Sequence, residues 1–366
     1  LISFVWSPHE PLPAGTGGSE NYTIGQVREL NRRGVPAQVV TVGLGTDDGR
    51  AEFVDIPFVA LARVADIGLL ADPVVFVSEA PAVLTREPAY QILHVPPPLR
   101  SRERAAVAAA TRDRTLIATS HFAARLWASF LDVDVPTIQV VHPFAEPDFA
   151  AAARPPRAPG TTRVLYAGRL TPEKGVYTLL AALHSDLVAG DPSISYTVTL
   201  AGADRPQGRI IHALLAAHPG VRVVPARRTP AAMAALMAEH DVVVMPSNSQ
   251  YWHETFGIVS IEAQHTGCRV VASDDGGLPE TGCGGLILVA PDNAEALAAG
   301  IRQAVRAGPL PAALRREAGE CFTVAQSVDA LLAVLTGPRP LPPAIVVRQL
   351  EEMMQLPAAP EPLVLD

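Results

Sequence analysis

Lysine is almost absent from this chain. Among 366 residues and 29 basic side chains there is a single lysine, Lys174, and every other fixed cation is arginine. Cysteine is scarce as well. Its three residues, Cys268, Cys283 and Cys321, are odd in number and lack metal-ligand spacing. That excludes a disulfide framework and points to a reducing, cytoplasmic setting. Positive charge is not in excess. The formal net charge is −8, which argues against a nucleic-acid partner, since such proteins advertise a basic patch. No apolar run approaches the roughly 20 residues of a membrane span. No charged segment followed by an apolar one marks a signal peptide. Neither a membrane span nor a leader is therefore expected, while peripheral attachment to a membrane stays open.

What is present is apolar and strongly patterned. Hydrophobic residues make up 48% of the chain and charged ones 18%, and at this length two domains are expected, each with a core of its own. Short apolar runs alternate with helix-like segments. In the first half the runs are Ile2–Trp6, Ala37–Val42, Val74–Val77, Ile92–Val95, Leu116–Thr119 and Ile138–Val141. Helices are expected over Ser19–Arg33, stopped by Gly34, and over Ser120–Leu131, with Ser120 as N-cap. An Ala/Pro/Gly stretch without periodicity, 151–160, reads as a linker. The alternation then restarts with runs at Val164–Ala167, Tyr196–Ala201, Val221–Val224, Val242–Met245, Val270–Ala272 and Leu286–Val289. Continuous apolar strands alternating with helices predict parallel sheets covered on both faces. The expected fold class is therefore α/β, with two facing Rossmann-like domains over 1–150 and 161–335 and an interdomain cleft. A Pro-rich tail, 336–366, has an apolar-periodic centre, Ile345–Leu356, that predicts either a short helix packed back on the first domain or loose chain.

Glycine follows several of these strands. Gly17-Gly18-Ser19-Glu20 precedes the first helix, but its spacing is not the dinucleotide fingerprint, which counts against a nicotinamide enzyme. Gly168-Arg169 to Lys174-Gly175 follows the first run of the second half, and Gly276-Gly277-Leu278-Pro279-Glu280 lies downstream. Two cations and glycine loops suit a diphosphate: arginine offers a planar fork and lysine a compact point charge. Two glutamates, Glu254 and Glu262, stand with seven residues between them in Glu254-Thr255-Phe256-Gly257-Ile258-Val259-Ser260-Ile261-Glu262. A helix expected over Phe256–Thr266 places Glu262 two turns inside it. A carboxylate accepts paired hydrogen bonds from a vicinal diol, and free N–H groups at a helix start bind phosphate. Each residue also has an ordinary reading: Lys174 solvated in a first turn, Glu254 as a cap, Glu262 on a wet face.

Taken together, in order and spacing, these motifs resemble the retaining GT-B glycosyltransferases of family 4, over roughly residues 2–335. The resemblance implies that Arg169 and Lys174 grip the diphosphate of a nucleotide-sugar. Glu262 would hold the ribose and Glu254 the hydroxyls of the donor sugar. Thr255, Phe256, Gly257 and Ile258 would lie along the donor, the last three through their backbone, with Gly168 in the loop that cradles it. Gly17 and Gly18 would close over the phosphate from an acceptor-binding first domain, and His94 would stand near the reacting centre. The implied catalytic set is Arg169, Lys174, Glu254 and His94. The implied partners are a nucleotide-sugar donor, UDP- or GDP-linked, and a hydroxyl acceptor that the sequence does not name. Neither a cofactor nor a metal is implied.

The chain departs from that pattern in places. Pro143-Phe144-Ala145-Glu146-Pro147-Asp148 stands where the family reads P-N-G-V-D. The approach to the glutamate motif, Ser247 to His253, is long, and its aromatic and histidine side chains either shape the sugar pocket or form a surface loop. The acidic pairs Asp47-Asp48 and Asp274-Asp275 read as loop residues. A non-catalytic nucleotide-sugar sensor or scaffold, or a GT-B epimerase or phosphorylase, are the alternatives on the same fold.

Overall fold

The computed structural model describes residues 1–9, 17–43, 55–156, 160–250 and 252–337. The expected helix over 345–356, Asp47-Asp48 and part of the linker lie outside the described residues.

Two separate sheets, each wholly parallel, organise the chain. The first contains β1 (Ile2–Val5), β2 (Ala37–Val42), β3 (Phe58–Leu61), β4 (Val74–Val77), β5 (Ala89–Leu93), β6 (Arg114–Ala118) and β7 (Ile138–Val140), in the order β3-β2-β1-β4-β5-β6-β7. The second contains β8 (Thr162–Tyr166), β9 (Ile194–Thr199), β10 (Val221–Val224), β11 (Val242–Met245), β12 (Arg269–Ser273) and β13 (Leu286–Val289), in the order β10-β9-β8-β11-β12-β13. Every residue of β1 and of β4 is buried, because helices cover both faces of a parallel sheet. Strand order reverses between β1 and β4 and again between β8 and β11, and crevices form at such switch points beyond the carboxyl ends of the strands.

The helices are α1 (Gly18–Arg32), α2 (Ser101–Thr111), α3 (His121–Leu131), α4 (Pro147–Ala151), α5 (Val176–Ala182), α6 (Pro206–Ala217), α7 (Pro230–Ala238), α8 (Ile258–His265), α9 (Ala294–Ala307), α10 (Ala312–Gly319) and α11 (Val324–Thr336). No helix among the described residues is long and apolar enough to cross a membrane.

The chain crosses between the domains twice. The crossings run side by side: Ala145 N donates to the Phe322 carbonyl at 3.0 Å, and Ala145 bridges to Thr323. The second crossing corrects the sequence-based division, which placed residues up to 335 in the second domain. Helix α11 instead belongs to the first. Its Val328 and Leu331 are fully buried in one core with Val27 and Leu30 of α1. Gln26 Nε2 donates to Ser327 Oγ at 3.2 Å, and the Tyr90 hydroxyl donates to the Leu335 carbonyl at 3.0 Å. Helical periodicity reveals an apolar stripe but not which sheet that stripe covers.

Candidate functional site

The loop after β8 is built from its own strand. Tyr166, the last residue of β8, is buried, and its hydroxyl lies 2.8 Å from the Arg169 carbonyl and 3.2 Å from that of Lys174. One aromatic side chain thus fixes both ends of the basic stretch. At Gly175 the backbone is left-handed, φ 69°, and a β-carbon there would stand 1.5 Å from the Pro246 carbonyl oxygen. Only glycine fits, and the close approach sets Lys174 against the loop that follows β11.

There Lys174 Nζ meets Glu254 Oε1 in an ion pair spanning 80 residues of sequence. Ser247 Oγ donates to the same carboxylate oxygen at 3.0 Å. Burial on its own raises the Glu254 carboxyl. The Lys174 ammonium, the Ser247 hydroxyl and the charge of Arg169 together outweigh it and hold the group below the usual carboxylate range. Glu254 is thus an anion under neutral conditions. Arg169 is the exposed member of the group, 56% accessible, with Glu173 3.9 Å away.

Helix α8 starts later than the sequence suggested. Gly257, at φ 105°, holds a left-handed backbone, so the helix begins at Ile258 and Glu262 sits one turn inside rather than two. The first N–H groups of such a helix lack intrahelical partners. Phe256 is 2% exposed and packs its ring near His142 and Phe322. Its side chain is core, leaving only its backbone for a ligand.

Glu262 does not join the Lys174 pair. It is buried, and burial first, with the nearby Glu146 carboxylate second, pushes its pKa up to about 8. Glu146 is itself raised to about 7, by burial and by Asp148, against the opposing pull of Arg28. The motif therefore presents two unlike acids: Glu254 ionised beside a cation, and Glu262 largely protonated at neutral pH.

From the first domain, Gly18 opens α1 against the start of α8, where a β-carbon on it would be 3.0 Å from Ile258 Cδ1. Gly17 is the α1 N-cap. Beyond β5, the His94 carbonyl accepts a 2.7 Å hydrogen bond from Thr255 Oγ1, and the His94 ring stands edge-on to Tyr22 at 4.8 Å. His94 is 8% exposed, and its Nε2 has no hydrogen-bond partner among the described residues. Burial drives its pKa down to about 3, so the ring is neutral.

Sequence reasoning gave no individual role to Tyr166, Ser247 or Glu146, whose side-chain partners only the fold reveals. It saw Glu280 only as part of a loop. Glu280 reaches across to the first domain and accepts the N–H groups of His121 and Phe122 at 2.8 and 2.6 Å. His121, His142 and Glu280 are the one group of ligand-type side chains that converges among the described residues, their atoms within 4.8 Å of one another. The carboxylate there is already engaged by two amides.

Residues 161–307 match the family model described as glycosyl transferases group 1. The D-inositol 3-phosphate glycosyltransferase of Mycolicibacterium vanbaalenii is 35% identical over 260 residues, covering 65% of this chain and 55% of that protein. The chain spans about half the length of the curated relatives it matches. A glycosyltransferase from Rickettsia africae superposes with a TM-score of 0.72 at 18% identity, covering 91% of this chain and 97% of that one. HepE from Anabaena, solved with UDP-glucose, gives 0.72 at 18% identity, covering 92% and 99%. These likenesses establish a two-domain GT-B fold, with residues 161–307 similar to the group 1 glycosyl transferases.

Proposed function

We propose that this protein transfers a hexose from a UDP- or GDP-linked sugar to an acceptor hydroxyl, with retention of anomeric configuration. The observation that carries the reading is the cluster of Lys174, Glu254 and Arg169 at the β8/β11 switch point, where an anionic ligand is expected. Lys174 and Arg169 bind the diphosphate. Glu254, kept ionised by Lys174, accepts hydrogen bonds from the donor sugar. Glu262 holds the ribose diol. Gly17, Gly18, Gly168 and the backbone of Phe256, Gly257 and Ile258 line the donor, and Thr255 ties that segment to His94.

The leaving diphosphate gains charge as the glycosidic bond breaks, and cations already in place lower that barrier without reorganisation. The β-phosphate oxygen on the same face takes the proton of the incoming hydroxyl, so neither glutamate acts as nucleophile. Contacts between the domains exclude water and align the acceptor. The reaction so read uses no metal or cofactor. Three free cysteines support a reducing, cytoplasmic setting.

One observation favours a non-catalytic sensor instead: His94, the candidate nearest the reacting centre, is buried. The two readings separate in one assay. Purified protein is screened by thermal shift against UDP, GDP and their hexose conjugates, since a ligand held by the folded state raises Tm by mass action. Release of nucleoside diphosphate is then measured for the sugar that binds, with acceptor candidates and with water. A transferase releases it, and Lys174→Ala reduces turnover by about two or more orders of magnitude in protein that still folds, with Tm lowered because Glu254 loses its partner. Binding without release supports the sensor. Near-normal turnover in Lys174→Ala removes the diphosphate role.

A further inference from the structure

The converging histidines and glutamate are drawn from both domains. His121 opens α3 and His142 follows β7, while Glu280 sits in the short turn Leu278–Thr281 beyond β12. One ring nitrogen of each histidine and one carboxylate oxygen all lie within 4.8 Å of one another. His142 Nε2 stands 3.6 Å from Glu280 Oε2, and the two imidazole rings meet edge to face at 5.6 Å.

Two members are fixed by contacts of their own. Glu280 accepts one backbone N–H on each oxygen, from His121 and Phe122. A carboxylate offers about four acceptor positions, so both oxygens keep capacity for a metal. The His142 ring packs on Phe256 and Phe322, centroids 5.6 and 5.5 Å away. His121 is exposed, so its side chain adjusts at little cost.

The spacing suits a small divalent ion. Zinc held at about 2.0–2.1 Å by nitrogen and about 2.0–2.2 Å by oxygen sets its ligand atoms roughly 3.4 Å apart in a tetrahedron. The His142–Glu280 pair is already near that separation, and the widest gap has to shrink by at most about 1.4 Å. Two imidazoles and one carboxylate favour Zn²⁺ or Co²⁺ over Mg²⁺ or Ca²⁺, which take oxygen ligands. Three protein ligands leave a fourth position for water. Another close histidine pair, His184 and His218 at 5.3 Å, has no third ligand of this kind among the described residues.

We propose that His121, His142 and Glu280 form a transition-metal site that clamps the two domains together. It stands apart from the donor reading, which uses none of the three side chains. Ligands divided between the domains hold the ion only while α3 and the Leu278–Thr281 turn touch, so the bound ion stabilises that contact by mass action.

The test is Co²⁺ binding to chelator-treated protein at about pH 7.5, above the ordinary histidine pKa near 6.5. The visible absorption of bound Co²⁺ reports occupancy. Wild type is expected to bind one Co²⁺ per chain, to lose it to Zn²⁺ and to keep it in excess Mg²⁺. His121→Ala and Glu280→Gln, one from each domain, each weaken binding by about tenfold or more, whereas His184→Ala does not. Zn²⁺ raises the Tm of wild type and of His184→Ala but not of the two ligand variants. Melting without metal checks that both variants fold, and the exposed position of His121 makes its replacement the safer of the two. No saturable absorption in wild type, or unchanged binding in His121→Ala, overturns the site. Binding lost in His184→Ala puts the ion on the His184–His218 pair and overturns it equally. Binding lost in His121→Ala but kept in Glu280→Gln confines the ligands to one domain and overturns the clamp.

Discussion

At the scale of single residues, the site turns on how burial and neighbours sort carboxylates of one type. Glu254 and Glu262 are chemically identical and eight positions apart, yet Lys174 keeps one ionised while burial and Glu146 push the other up to about 8. A carboxyl whose folded pKa is raised binds its proton more tightly in the native state, so stability is lost as pH rises toward that value. His94, with its pKa lowered to about 3, acts in the opposite sense, but only below the ordinary histidine pKa near 6.5. Between about pH 6.5 and 8 the raised acids, Glu262 and Glu146, dominate, and Tm is expected to fall with pH. In Glu262→Gln the fall over this window becomes shallower, because the amide does not titrate. Parallel melting curves for the two proteins from pH 6.5 to 8 check this, and identical slopes would mean Glu262 ionises freely in the folded state. The sequence showed the apolar setting of Glu262 through Ile258, Val259 and Ile261. It did not show Glu146, which approaches from 116 residues earlier.

At the scale of elements, the N-terminus of α3 takes part in the contact between the domains. Ser120 caps α3 as its sequence suggested, its Oγ accepting from Ala123 N at 2.9 Å. The next two amides go to Glu280 of the other domain. A carboxylate at a helix N-terminus is favoured by the helix dipole as well as by hydrogen bonding. The His142 ring and those two amides hold Glu280 below the usual carboxylate range, although burial, the largest single influence, opposes them. Replacing Glu280 by Ala should therefore cost about 1–2 kcal/mol, read as a lower midpoint in urea. Glu280→Asp, too short to reach both amides, should recover little. No change in midpoint would mean water satisfies those amides as well. Elements with clear apolar runs, such as β2, β4 and β11, were legible in sequence to the residue. Strand β3 and helix α2 were not. Residues 58–61 are only half-buried at a sheet edge, and 101–111 is an Ala/Arg run with no apolar stripe.

At the scale of the whole molecule, chain order and domain membership part company at α11. The two βα arrays follow from the alternation of runs, and that much was legible. The return of residues 324–336 to the first domain was not, because it is decided by which core has room for Val328 and Leu331. Leu331 is fully buried beside α1, so Leu331→Ala removes apolar volume from a packed site and should destabilise by about 2–5 kcal/mol. The loss should fall on the first domain, although the residue follows the second in sequence. The donor nucleotide, on the reading above, binds the second domain and raises that domain's transition by mass action. Calorimetric scans of wild type and Leu331→Ala, with and without the preferred nucleotide, therefore separate the two units. The substitution lowers one transition and the ligand raises the other. The Ala145–Phe322 crossing couples the two only as far as it survives the first melting event. A ligand that rescued the lowered transition fully would show instead that α11 and the nucleotide act on one cooperative unit, and that the paired crossings bind the domains into a single folding body.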